Sequence, residues 1–317
     1  MFPRGVIALL SPGQGSQAPG MLTPWLEADG ARARLDEWSQ RSGLDLVRLG
    51  TEAGAEEIQD TAIAQPLIVA LSLLAFDQLS TQARLPEDTP VAGHSVGELA
   101  AAAIAGVLAP VEAVALAAVR GAEMAKACDA EPTSMAAVML GDPQEVVAWL
   151  ESAGLTAANQ NGAGQIVASG SADAVERIVA EPMEGTKVRA LKVAGAFHTH
   201  YMATAEDALR IHVADITPGD PTRPLLSNAD GTVVDTGAEY LERLVAQVTR
   251  PVRWDLTMRT LASMGVTATA ELPPAGALTG LVKRELKGTV TSTVAVKTPE
   301  NLGAVVELTA NDQENVR

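Results

Sequence analysis

The chain has 317 residues, 47% hydrophobic and 20% charged, with a mean hydropathy of +0.13. That length suits roughly two domains around a full apolar core, and the composition excludes a disordered chain, a disulfide scaffold and a collagen-like repeat. The balance of 23 basic against 39 acidic residues leaves a net charge of −16, which makes the chain a poor general binder of nucleic acid.

Aromatic residues make up only 3% of the chain, so the core is expected to be aliphatic and alanine-rich. The single cysteine, Cys128, has no intrachain partner, which fits a reducing compartment. Arg4 and the brief apolar run Val6–Leu10 are too short and too polar in context for a secretory signal. The apolar stretches Leu67–Phe76 and Leu99–Pro110 fall short of a membrane span. The expected location is the cytoplasm.

In chain order, Val6–Leu10 reads as a short buried strand running into the glycine turn Ser11–Ser16. Pro66–Leu79 is apolar throughout and is expected as a buried helix. Pro90–Gly93 is a short strand, followed by apolar helices over Ser95–Leu108 and Pro110–Ala127. Strand, tight turn and buried helix in that order indicate a parallel α/β core. The rhythm then changes. Met135–Leu140 reads as a strand, and a helix runs from Asp142, a Ser/Thr/Asp-type cap followed by Pro143 and Glu145, to about Ser152. Strands at Leu155–Asn159 and Gln165–Ser169, a helix at Ser171–Ala180 and a strand at Val188–Val193 complete a β-α-β-β-α-β pattern of the ferredoxin-like kind. The expectation is a large α/β-hydrolase-like domain over 1–129 and 196–317, with a small ferredoxin-like domain over 130–195 inserted into it. Asn311–Arg317 reads as a frayed tail.

The chemistry gathers at Gly93-His94-Ser95-Val96-Gly97, a G-x-S-x-G pattern between strand and helix. There the glycines permit a strained turn that lifts a serine hydroxyl to a helix N-terminus, where the following amide stabilises an oxyanion. An ordinary turn whose serine merely caps the helix would read the same way. A serine nucleophile needs a base, and the chain offers His94, His198, His200 and His212. His94 adjoins the serine, His200 reads as a surface residue and His212 sits in a polar helical stretch. His198, in Gly195-Ala-Phe-His198, stands where the chain re-enters the large domain. The turn Gly13-Gln14-Gly15-Ser16-Gln17 could supply a second oxyanion amide, and it lacks the lysine and spacing of a phosphate loop. Arg120 lies alone in an apolar helix, either in a structural salt bridge or as a carboxylate clamp. No histidine has Cys or carboxylate partners at metal-ligand spacing.

Together these pieces resemble the malonyl-CoA:acyl carrier protein transacylases of fatty-acid and polyketide synthesis. The motifs run in order along nearly the whole chain: Pro12-Gly-Gln-Gly-Ser-Gln17, Gly93-His-Ser-Val-Gly-Glu98, Arg120-Gly121, Gly195-Ala-Phe-His198, Pro251-Val-Arg-Trp254 and Leu278-Thr-Gly280. The stretches Ala92–Glu98 and Val193–Thr199 look most like actinobacterial members. Asn159 and Asn161 with Gly164–Val167 look like the family's asparagine-rich turn.

The resemblance implies a malonyl-serine intermediate on Ser95, formed with His198 as general base. It implies an oxyanion hole from the Gln14 and Val96 amides, Arg120 holding the malonyl carboxylate, and Phe197, Asn161 and Gln247 as further substrate-binding residues. A main-chain carbonyl near Gln247 would orient the histidine, so the pair is a dyad needing no acid. Phe197, before the histidine, goes with malonyl over methylmalonyl in related polyketide acyltransferases. The implied partners are malonyl-CoA and holo acyl carrier protein; no cofactor, metal, nucleic acid or membrane is expected from the residues themselves, and a monomer is the plain expectation. Lys187, Arg189 and Lys192, and Lys283, Arg284 and Lys287, are candidate patches for an acidic carrier. Ser11, the turn Glu271–Gly276 and the polar run Thr199–Met202 depart from the usual family pattern. A serine thioesterase on the same pair, or a non-catalytic carrier-binding module, are the alternatives.

Overall fold

The computed structural model describes residues 6–314 of the chain, so Arg4 and the last residues of the expected tail lie outside them. Nine strands and twelve α-helices follow in chain order among the described residues. The first half carries β1 (Val6–Ser11), α1 (Ala31–Ser42), α2 (Leu46–Thr51), α3 (Thr61–Gln82), β2 (Val91–Gly93), α4 (Gly97–Ile104) and α5 (Pro110–Cys128). The middle carries β3 (Thr133–Met139), α6 (Pro143–Ser152), β4 (Thr156–Gly162), β5 (Gln165–Ser171), α7 (Ala172–Ala180) and β6 (Lys187–Ala190). The remainder carries α8 (Ala203–Val213), β7 (Leu225–Leu226), α9 (Gly237–Ala246), α10 (Trp254–Ser263), β8 (Val266–Glu271), α11 (Ala277–Glu285), β9 (Ser292–Ala295) and α12 (Leu302–Glu314). Helix α12 thus continues through Asn311, where a frayed tail was expected.

The chain is α/β, with a five-stranded sheet in the order β7-β2-β1-β8-β9, parallel throughout. Strand β1 is central, and Ile7 to Ser11 are all buried, as a strand covered on both faces requires. Four segments leave the carboxyl ends of β1, β2, β7 and β8 side by side, which is where a parallel sheet places its crevice.

Helix α3 corrects the sequence reading of its length. It begins at Thr61, five residues before Pro66, because Asp60 caps it by accepting from the Ala62 amide at 2.8 Å. At 22 residues it is long and apolar enough to cross a membrane by length and composition alone. It is instead a core helix, with Leu67, Ile68, Val69 and Ala70 fully buried. Helix α5 lies against its start through Gly121, where a Cβ would come within 2.5 Å of the Thr61 carbonyl oxygen. That close approach sets Arg120 beside Gln65.

The second sheet has four strands in the order β4-β5-β3-β6, antiparallel throughout. Asp142 caps α6 by accepting from the Gln144 and Glu145 amides. Ala136, Val138, Ile166 and Ala168 form one face of this sheet and bury against Val146 and Leu150 of α6 and Val175 and Ile178 of α7. The opposite face, with Met135 and Val167, joins the main core. Strand β6 ends at Ala190, short of the expected Val193, with one further backbone bond from Leu191 to Met135 of β3 beyond it. Backbone bonds from Val252 to Ala158 and from Gln160 to Val252 tie β4 to the segment before α10.

The atypical turn after β8 is held by a buried carboxylate. Glu271 accepts from the amides of Gly276, Leu278 and Thr279 at 2.9, 3.0 and 2.7 Å, and so caps α11. Glu271→Ala would strand three donors without water, and a loss of about 3 kcal/mol or more is expected. Glu271→Gln, which keeps an acceptor, should lose less. The shift in urea unfolding midpoint checks both.

Candidate active site

The turn after β2 carries Ser95 at φ +53°, a left-handed conformation for a residue with a side chain. Gly93 and Gly97 make the turn possible. A Cβ on Gly93 would come within 2.1 Å of Gly97 backbone, and one on Gly97 within 2.2 Å of the Ser11 carbonyl oxygen. Asn228, just past β7, fixes the turn from outside: its Oδ1 accepts the Ser95 amide at 2.8 Å and its Nδ2 donates to the Gly93 carbonyl at 2.7 Å.

His198 is the second strained residue, at φ +60° and 2% exposed. Its Nε2 lies 2.8 Å from Ser95 Oγ, and its Nδ1 lies 2.8 Å from the Gln247 carbonyl oxygen. A carbonyl only accepts, so Nδ1 carries the proton and Nε2 is left to accept the serine hydroxyl. Burial, and then the Arg120 charge, push His198 down to about 3, against the raising effect of the Gln247 carbonyl. It is therefore neutral, the form a general base needs.

The other histidines do not reach the serine side chain. His94 packs edge-on against Trp254 at 5.5 Å and places Nε2 2.9 Å from Asn161 Oδ1. His200 is exposed against Tyr201, and His212 is exposed on α8 with Nδ1 3.2 Å from the Ala208 carbonyl.

Arg120 is 1% exposed. Its partners are uncharged: Nη1 donates to Gln65 Oε1 at 2.7 Å, while Nη2 donates to Gln247 Oε1 at 2.9 Å and to Ser95 Oγ at 3.3 Å. Nε has no hydrogen-bond partner in the protein. Burial pulls Arg120 down to about 10, with Glu98 opposing, so it remains a cation at neutral pH. A buried, charged fork beside the Ser95 hydroxyl, without a carboxylate on it, is chemically suited to hold an anion.

A cavity of about 640 Å³ opens onto these groups, lined by Gln14, Ser95, Val96, Arg120, Asn161, Phe197 and His198. Within the turn, His94 donates to the Ser11 carbonyl, Gly97 to His94 and Glu98 to Ser95, while the Gln14 and Val96 amides donate to no backbone carbonyl. Amides so placed are free of backbone partners, as the sequence expectation of an oxyanion hole requires. Phe197 is 7% exposed and presents its ring to both the core and the cavity. Two expected substrate-binding residues stand differently. Gln247 does not line the cavity; it is buried behind it and touches the site through His198 and Arg120. Asn161 lines the cavity, but its side chain is engaged by His94 and by Gln165 Oε1 at 3.0 Å. Among the described residues no group of three His, Cys, Asp or Glu could hold a metal ion.

Sequence reasoning missed Asn228, Gln65 and any task for Glu98. Gln65 left a signal, being one polar side chain in an apolar helix. Asn228 left only its position after a strand, and Glu98 only its place at the end of the serine motif.

The matching family model is the acyl transferase domain, over residues 9–315. The malonyl CoA-acyl carrier protein transacylase of Mycobacterium tuberculosis (strain ATCC 25618 / H37Rv) is 54% identical over 304 residues, 96% of this chain and 100% of that protein. The Bacillus subtilis (strain 168) protein of the same name is 34% identical, covering 98% of this chain and 99% of its own. The crystal structure of MCAT from Mycobacterium tuberculosis superposes with a TM-score of 0.90 at 53% identity, covering 95% of this chain and 99% of the other. A malonyl-transacylase in complex with a type II PKS acyl-carrier protein, PlMCAT:AntF, superposes with a TM-score of 0.89 at 28% identity, covering 96% of this chain and 100% of that one.

Proposed function

The chain belongs to the acyl transferase domain family, and from that premise we propose that it transfers malonyl from malonyl-CoA to the phosphopantetheine thiol of an acyl carrier protein. The enzyme is an [acyl-carrier-protein] S-malonyltransferase serving fatty-acid synthesis. The observation that carries this reading is the 2.8 Å contact between Ser95 Oγ and His198 Nε2 beside the buried Arg120.

In the first half-reaction His198 Nε2 takes the Ser95 proton as Oγ adds to the thioester carbonyl. The Gln14 and Val96 amides receive the oxyanion, whose charge raises the proton affinity of the adjacent imidazole. His198 then gives the proton to the departing CoA thiolate, leaving malonyl-Ser95. In the second half-reaction the carrier thiol gives its proton to His198 and attacks the ester. Collapse releases the malonyl thioester, and His198 returns the proton to Ser95. Throughout, Arg120 anchors the malonyl carboxylate and the Gln247 carbonyl keeps the imidazole tautomer. The Phe197 ring crowds a methyl branch at the acyl α-carbon, a discrimination of about 1–3 kcal/mol.

Residues 130–195 are read as a ferredoxin-like unit inserted between the two parts of the catalytic domain, 1–129 and 196–317. The strand order β4-β5-β3-β6 with both helices on one face supports this. The enzyme is read as a cytoplasmic monomer that uses no cofactor and binds neither nucleic acid nor membrane. The lone cysteine fits a reducing compartment, and the burial of α3 in the core speaks against that helix spanning a membrane.

Intact-protein mass tests the reading. Malonyl-CoA should add one malonyl group to the wild type and none to Ser95→Ala. Holo carrier protein should then remove it, with methylmalonyl-CoA labelling more slowly. Loss of the adduct to water at the same rate without carrier would instead indicate a hydrolase.

Lys192 and Arg284 are exposed residues that line the cavity, which favours them as the contact for an acidic carrier on a protein of net charge −16. The double variant Lys192→Glu, Arg284→Glu should slow transfer to carrier about tenfold at low salt, and high salt should narrow the gap. Equal rates at low salt would remove these residues from the docking surface.

A further inference from the structure

Beneath the serine turn lies a buried carboxyl group to which the two half-reactions give no task. Glu98, in the first turn of α4, is 1% exposed, and both of its oxygens face uncharged donors. Oε1 accepts the Asn228 amide at 2.6 Å, and Oε2 accepts Gln247 Nε2. Burial pushes Glu98 up to about 8, opposed by the Asn228 amide and the Arg120 charge; Asp230 and Arg243 are the other charged groups that act on it. With a donor on each oxygen, the geometry suits the ionised carboxylate.

Each donor leads to a reacting group. Asn228 holds the Ser95 amide, while Gln247 holds His198 by its carbonyl and Arg120 by its side-chain oxygen. A primary amide has one donor edge and one acceptor edge, and its neighbours decide which edge faces which way. Glu98 as a carboxylate accepts only. It is the closest of three acceptors on the Gln247 nitrogen, the others being the Ser95 carbonyl oxygen and Asn228 Oδ1, each at 3.3 Å, and so draws that nitrogen inward and leaves Oε1 for Arg120.

We infer that Glu98 is a positioning residue which, by fixing the orientation of the Gln247 amide, presents Arg120 to the acyl carboxylate and sets the preference for charged over uncharged acyl groups. The inference rests on Arg120 being the carboxylate anchor. In Glu98→Gln the new amide sets a donor against either Asn228 or Gln247. Turning Gln247 over relieves that clash at the loss of its 3.3 Å bonds to the Ser95 carbonyl and Asn228 Oδ1, and it points the NH2 at Arg120 and displaces the guanidinium.

The test compares acylation by malonyl-CoA and by acetyl-CoA above pH 8, in wild type, Glu98→Gln, Gln247→Met, the double variant and Arg120→Ala. Glu98→Gln should lower malonyl kcat/KM about tenfold, chiefly through KM, and acetyl kcat/KM less than about threefold. Gln247→Met should lower the malonyl-to-acetyl ratio similarly, and the double variant should be no worse than Gln247→Met alone. Equal losses for both acyl groups, or additive losses in the double variant, would overturn the inference and leave Glu98 a structural group. Should Glu98→Gln not fold, Gln247→Met carries the test, and an unchanged ratio there overturns it. If Arg120→Ala keeps the wild-type ratio, the anchor reading itself fails. If it loses the ratio while Glu98→Gln keeps it, only the Glu98 inference fails.

Discussion

Ser95→Ala is expected to abolish the malonyl adduct and to lower malonyl transfer by about 10⁴-fold or more, some 5 kcal/mol of transition-state stabilisation. His198→Ala should lose a comparable amount, because a serine hydroxyl 2.8 Å from a neutral imidazole is a weak nucleophile once that imidazole is gone. The double variant should be no slower than either single one. Two groups that act on one proton are lost together, whereas two independent contributions would multiply. A pre-steady-state quench of the first half-reaction measures this without the carrier. The same assay reads the pH dependence. His198 is held down to about 3 by burial and by Arg120, so the base is lost only as pH falls through that value. The acylation rate should therefore show no inflection near the ordinary histidine range of about 6.5. An inflection there would mean that the imidazole is solvated during turnover.

Arg120→Ala is expected to lower malonyl kcat/KM by about 10²-fold, near 3 kcal/mol, while acetyl-CoA reacts at close to its wild-type rate. The guanidinium is 1% exposed, its hydrogen-bond partners are all neutral and Glu98 lies behind Gln247, so a substrate carboxylate would be the one anion in direct contact with it. Lysine should not rescue the loss. A point charge on a flexible stem cannot donate to Gln65, Gln247 and a carboxylate at once as the planar fork does. Competition between malonyl-CoA and acetyl-CoA in one reaction gives the ratio directly. Equal losses for both would identify Arg120 as a support for Ser95, to which it also donates at 3.3 Å.

The glycines at 93 and 97, the serine between them, and the strand and helix on either side together announce an elbow in sequence, because each answers to a local rule about turns and caps. The Asp142 cap and the alternation of the middle segment were legible for the same reason. Reading the length of α3 from its apolar run alone failed, since the capping Asp60 precedes five residues of mixed character. The roles of Glu98, Asn228 and Gln247 were not legible in that way. They lie 130, 149 and 19 residues apart pairwise, and no spacing rule links an amide after one strand to a carboxyl in another helix.

The sequence by itself determined the α/β class, the elbow and the candidate nucleophile, because propensity and periodicity act between near neighbours along the chain; a candidate base and anchor came only through the resemblance carried by the order of the motifs. Only the tertiary structure decided which histidine meets Ser95, that the Gln247 carbonyl holds its tautomer, and that Arg120 is buried against neutral groups. Those facts depend on long-range packing. The carboxyl ends of the parallel strands and the close contact at Gly121 bring distant side chains within hydrogen-bonding distance, and burial removes the water that would otherwise satisfy them.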